Sequence, residues 1–226
     1  MIALNHRFRS LTVTAIVLVA ITTSGCMLTR SPTSMTIIAP EVDMTVDENW
    51  PEVDWSLLVQ RPFADQMRNS DRILVRVSRS RLQPWPESAW LDSMPDMVHS
   101  LLIQSLEDSG RFAGVGRAGG MRSQFGLVSE IRRFEIVDEG RGGLSVALAL
   151  QANLIHQASG RVMATQSFEH DEAVSGTSLD EIIYAFEQAM GDLFGELAGW
   201  LLASGQTASA DLDNGRDRRP MRSRDD

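Results

Sequence analysis

Lysine is absent from this chain of 226 residues: all 21 basic residues are arginine, a usage that reflects coding bias rather than function. Acidic residues are absent before Glu41, and cysteine occurs once, at Cys26. No apolar run approaches the roughly 20 residues that a spanning helix needs. Each absence closes a class. One cysteine forms no intrachain disulfide, so the fold stands on packing alone, even in an oxidising compartment. The same shortage leaves no Cys/His set for a structural metal. With 30 acidic residues and a net charge of −9, the chain gains nothing from a polyphosphate partner, which excludes nucleic acid. No G-x-S-x-G elbow is present.

What is there begins with the leader. His6, Arg7 and Arg9 make it basic, and residues 11–21 are apolar apart from Thr12 and Thr14. A basic stretch, a short apolar stretch and a small-residue exit describe a secretory signal. The exit reads Thr23-Ser24-Gly25-Cys26. Small residues fit a protease cleft, and a thiol directly behind them can take a diacylglycerol by thioether linkage. This resembles a bacterial lipobox with Thr23 where an aliphatic residue is usual. Cleavage between Gly25 and Cys26 is therefore expected, with S-diacylglycerol and N-acyl (palmitate) modification of Cys26. One acyl chain anchors only marginally and several hold firmly. Met27 follows, where an aspartate would retain the protein in the inner membrane, so an outer-membrane location facing the periplasm is expected. Loss of Arg7 and Arg9 with the leader moves the net charge from −9 to −11. An acidic body discourages flat adsorption on anionic lipid, which leaves membrane contact mainly to the anchor.

The organisation reads as four parts: a signal at 1–25, an acidic tether at 26–54, a folded domain at 55–203 and a disordered polar tail at 204–226. The tether holds three prolines and one candidate strand at residues 35–38. Fully flexible, it would span about 28 Å root-mean-square. "WSLLVQRP" and "DRILVRVSR" read as strands, and "RLQPWPESAW" as a loop because Pro84 and Pro86 exclude helix. Met94, Met97, Val98, Leu101, Leu102 and Leu106 recur at helical spacing, with Pro95 in the first turn and Gly110 past the end. "FGLVSEIRRFEIV", "LSVALALQANLIH" and "RVMATQSFEHDEAV" read as three strands joined by hairpins. A capping box at Ser178 and Glu181 opens a long helix lined by Leu179, Ile182, Ile183, Phe186, Met190, Leu193, Leu197 and Leu201. The order β-β-α-β-β-β-α predicts an α+β, two-layer domain, with a mostly antiparallel sheet and two amphipathic helices.

Candidate chemistry is sparse. Residues 114–119 satisfy G-x-G-x-x-G, but the stretch follows a helix and precedes a strand, the wrong context for a dinucleotide; it reads as a flexible connector. His99, His156 and His170 lack ligand spacing and read as surface residues. Asp138-Glu139 and Asp171-Glu172 read as solvated pairs at strand ends. The helical stripes are core first and a lipid-binding face second. No catalytic residue, cofactor or metal is assigned.

The motif order resembles the ABC-type transport auxiliary lipoprotein family, whose members are PqiC-like. The resemblance covers roughly residues 55–202. It rests on Trp90, Asp92 and Pro95 before the first helix, on Ser109-Gly110-Arg111-Phe112 at its exit, and on Ala185, Phe186, Ala189 and Trp200 in the last helix. Members often carry tyrosines in an early strand, which residues 35–38 lack. The resemblance implies a non-enzymatic role beside an ABC transporter. The implied partner is an MCE-domain protein, and the implied cargo is phospholipid or another hydrophobic molecule moving between the two membranes. Two alternatives stand beside it: an assembly or secretion accessory of the envelope, and a lipid-anchored hydrolase.

Overall fold

The computed structural model describes residues 34–140 and 143–217. The chain divides into two units at Ser34, and the second, Met35–Asp226, is the folded body. Cys26, Gly25 and residues 218–226 lie outside the described residues.

Among the described residues the body carries eight strands and two helices. β1 (Thr36–Ile38), β2 (Ser56–Val59), β3 (Arg72–Ser78) and β4 (Arg81–Trp90) precede helix α1 (Met94–Asp108). β5 (Gly114–Arg117), β6 (Phe125–Gly140), β7 (Gly143–His156) and β8 (Arg161–Ala173) follow, and helix α2 (Leu179–Asp217) closes the fold. The α+β class and both helices are as expected, and β1 falls inside its candidate segment.

The sheet differs from expectation. It is mixed, with four of the seven strand pairings parallel: β1 with β4, β2 with β5, β2 with β6, and β3 with β6. Only β3–β4 and the β6–β7–β8 meander are antiparallel. For the three pairings made by β5 and β6, the reason is the route through α1. A helix placed between strands carries the chain back across the sheet face, so β5 and β6 re-enter in the direction of β2 and β3. Long β6 serves both groups, pairing β2 at Phe125–Leu127 and β3 at Ile136 and Val137 along one edge, with β7 along the other.

Two segments read as irregular are strands. β4 forms despite Pro84 and Pro86, because β1 covers it only at residues 88–90, beyond both prolines. Proline is tolerated where no neighbour needs its missing N–H. Glu87, at φ 55°, marks the break between the two halves. β5 is the glycine-rich stretch itself, an edge strand beside β2.

One face of the sheet meets the helices. Val146, Leu148, Leu150, Ala152 and Leu154 of β7 alternate into that core, as their period of two requires. They meet Ile182, Phe186, Met190, Leu193, Leu197 and Leu201 of α2. Trp90, Phe134 and Phe186 form its aromatic centre, with ring centroids 5.1–5.9 Å apart. The capping box is present: the Ser178 hydroxyl donates to Glu181 Oε2 (2.6 Å), which also accepts from the Ser178 backbone N–H (3.0 Å).

The described parts of the expected tether, residues 34–54, and of the expected tail, residues 204–217, pack on the body. Residues 41–50 run along α2, where Asp43, Thr45 and Trp50 lie against Gly191, Gly195 and Gly199. Val53 is buried, and its N–H donates to the Arg111 carbonyl (2.9 Å). At the other end, α2 continues past Ser204. Gly205 lies against the Trp55 ring, Ala208 is buried, and Gln124 Nε2 donates to Ser209 Oγ (3.0 Å).

Candidate functional site

The residues singled out by motif order fall into the framework. Trp90 and Phe186 are core rings. Pro95 opens α1 behind its cap Ser93, and Gly110 takes the left-handed φ of 65° that a helix exit favours. Phe112 packs edge-on against Trp55 (5.4 Å), and Trp200 does so against Phe168 (5.7 Å). These residues explain why the pattern recurs without supplying chemistry.

The histidines correct the surface expectation. His99 is buried on α1; its Nε2–H donates to the Val59 carbonyl (2.9 Å), which leaves Nδ1 to accept from Arg117 Nη1 (3.0 Å). Burial holds its pKa below the usual histidine value, and the Arg117 charge adds to that. His99 is therefore a neutral strut joining α1, β2 and β5. His156 is also buried, and its Nδ1 meets Ser159 Oγ (2.9 Å) inside the β7–β8 turn. His170 alone is open enough to face carboxylates, Asp192 at 3.4 Å and Glu172 at 3.8 Å. The three histidines are dispersed, and no group of metal-ligating side chains assembles among the described residues.

The acidic pairs have local partners. Asp138 accepts from the Gly140 N–H (2.9 Å), and Glu139 from the Ser145 hydroxyl (3.0 Å). Asp171 faces Arg133 at 3.6 Å.

A charged cluster escaped the sequence reading. Glu135 of β6 has no solvent exposure, yet it points to the face opposite the helices. The ladder slips a residue between Ile131 and Arg133, so Phe134 and Ile136 turn to the core and Glu135 turns away. Arg68, itself buried, donates to Glu135 Oε2 (2.5 Å), and Arg76 Nε donates to Oε1 (2.5 Å). Asp65 pairs with the far side of Arg68. The cluster staples the 60–71 loop over the sheet. Nearby, Arg61 grips Asp96 at 2.6 and 2.9 Å at the start of α1. That contact and the Ser93 hydroxyl hold the Asp96 carboxyl down to about 2.

Between sheet and helices lies a cavity of about 20 Å³ lined by Val98, Phe134, Leu150, Met190 and Phe194. Small-molecule pockets run from about 300 Å³ upward, so the helical stripes serve as core. No helix among the described residues is long and apolar enough to cross a membrane.

Residues 36–198 match the family described as ABC-type transport auxiliary lipoprotein component. The chain belongs to this family. Its match takes in every described strand and about half of α2. A crystal structure of a Xanthomonas campestris protein shares 36% identity, with a TM-score of 0.74, over 77% of this chain and 99% of that one. A second crystal structure, of an uncharacterised protein, shares the fold at 13% identity and a TM-score of 0.54, over 79% of this chain and 99% of that one. An uncharacterised protein of Bradyrhizobium diazoefficiens is 27% identical over 151 residues, 64% of this chain. The aligned part spans only 39% of that relative's length. The family's description is that of a transport auxiliary component and a lipoprotein.

Proposed function

We propose that this lipoprotein is acylated on Cys26, sits at the outer membrane facing the periplasm, and serves an ABC transporter that contains an MCE-domain protein. In this role it receives the periplasmic end of the transporter while lipid moves between the inner and outer membranes. The observation that carries the proposal is the family match across residues 36–198. The signal ending in Gly25-Cys26, with Met27 after it, supports the anchor and its sorting. The body suits a docking role: its core is filled, and buried Glu135 and His99 are spent on holding elements together. The 13-residue β8 pairs with β7 along one edge, and among the described residues no strand pairs with the other. An unpaired edge can accept a partner strand.

Affinity capture tests the role. The acylated protein is tagged at its C-terminus and recovered from detergent-solubilised envelopes. The expected result is co-purification of an MCE-domain protein with its ATPase and permease. Recovery of secretion or assembly components in their place, across repeated preparations, overturns it.

A further inference from the structure

Three exposed apolar side chains gather on the face of the sheet opposite the helices, at its β1 edge. Ile37 is 54% exposed, Met35 61% and Leu91 63%. Their grouping follows from register. Ile37 pairs with Ala89, Ile38 pairs with Trp90, and the Leu91 N–H donates to the Ile38 carbonyl (2.8 Å). Trp90 is buried in the core, so alternation turns Ala89 and Leu91 to the other face, and it turns Met35 and Ile37 there with them. Arg72 of β3 is in register with Ala89 and is exposed, which places a guanidinium beside the patch.

The covalent chain supplies the reason to name an occupant. The expected tether would have begun at Cys26 and ended at residue 54. The folded body instead starts at Met35, nine residues after Cys26. Nine residues reach at most about 30 Å, and as a flexible coil they span about 17 Å root-mean-square. An acyl anchor at Cys26 therefore keeps this edge within about 30 Å of the bilayer. Residues 27–34 contain a single charge, Arg30, and no acid that would repel anionic headgroups. Exposed methionine, isoleucine and leucine beside an arginine match the boundary between acyl chains and lipid phosphates.

We infer that the Met35, Ile37 and Leu91 face is a membrane-contact surface, so that the body rests on the bilayer by its β1 edge. This rests on acylation of Cys26. Contact at a fixed edge orients the molecule: β8 and its unpaired edge lie on a separate branch of the sheet, reached from β1 through β4, β3, β6 and β7.

Spin labelling tests it on the acylated chain in vesicles of phosphatidylethanolamine with a minor phosphatidylglycerol fraction. One label is placed at Leu91→Cys and, in a separate sample, one at Val162→Cys, an exposed position on β8. The inference predicts a several-fold loss of collision with a water-soluble nickel relaxant at position 91 on vesicle binding, and no change at position 162. Equal exposure of both labels on vesicle-bound protein overturns the contact surface while leaving the anchor intact. Protein that fails to bind vesicles and carries an unmodified Cys26 overturns both. Protection at position 91 without vesicles assigns the patch to residues 27–33 of the same chain. Protection that disappears when the protein is diluted within the vesicles assigns it to a second copy. Either of these also overturns the membrane reading.

Discussion

Glu135 shows how much can hang on one side chain. Its carboxylate satisfies Arg68, a cation with almost no access to water. Removing one member of a buried pair costs about 3–5 kcal/mol where the other is left charged and uncompensated; half-exposed Asp65 still faces Arg68, which sets Glu135→Ala at the low end. Against a total stability of roughly 5–15 kcal/mol for a domain, Glu135→Ala is expected to shift the urea midpoint strongly. Glu130→Ala, on the same strand but exposed, is expected to stay within about 0.5 kcal/mol. Equal midpoints for the two variants would contradict the staple. His99 adds a pH dependence. Its folded pKa lies below the unfolded 6.5 because burial penalises the charged ring. Below pH 6.5 the unfolded state takes a proton that the native state refuses, so native stability falls as pH falls. Asp96 acts at lower pH: with its carboxyl held to about 2 against 3.8 unfolded, its support is present above 3.8 and is lost toward 2. That support is modest, because Arg61 and Asp96 are both more than a third exposed and solvent screens them. Denaturant midpoints taken between pH 7.5 and 5 are expected to decline for the native chain and to flatten in His99→Gln. An unchanged slope in the variant would place the titrating group elsewhere.

At the scale of elements, α2 is the scaffold on which the N-terminal segment is laid. Glycines four residues apart make a flat track on one side of it, and residues 41–50 occupy that track. The track makes opposite predictions for chemically identical substitutions. A Cβ at Gly191 would stand 2.7 Å from the Asp43 carbonyl oxygen, whereas at Gly195 its nearest neighbour is 3.6 Å away. Alanine gains about 1 kcal/mol over glycine within a helix. Gly195→Ala is therefore expected to raise the melting temperature. Gly191→Ala is expected to lower it and to speed proteolysis within residues 41–50, because the strap must lift. A rise in both melting temperatures would show that the strap is loosely held. This element also marks the limit of what periodicity reveals. Apolar stripes placed α1, α2 and the β6–β7–β8 meander correctly, since each buries a continuous face. The strap carries only a short one: Val42, Met44 and Val46 alternate at half-burial outside any strand, and Val53 beyond them is buried singly, too little to mark an element. The end of α2 hides for a related reason. Gly205 and Ala208 pack closely because they are small, and small residues read as low complexity. β4 was obscured by two prolines whose cost vanishes at an uncovered edge.

For the whole molecule, the parallel pairings were the least legible feature. Three depend on which strand lies beside which after the α1 crossover and the fourth on β1 returning to the edge of β4, and no local pattern encodes either. Glu135 was hidden by the same kind of non-local fact, because its neighbours alternate as they would around any solvent-facing residue. The family pattern was legible for the converse reason: Trp90, Phe112, Phe186 and Trp200 are large rings at fixed places in the core or against it. On the proposed reading the pattern belongs to a body built for attachment, acylated upstream at Cys26. Cys26→Ser is expected to move the protein from the membrane to the soluble periplasmic fraction, or to leave it uncleaved, with its melting temperature unchanged. The most direct measurement is mass spectrometry of the N-terminal peptide of the protein extracted from its own envelope. The account predicts a chain that begins at Cys26 and carries a diacylglyceryl group on sulfur and an acyl group on the amine. A chain that still begins at Met1, or a Cys26 with a free thiol, would contradict it.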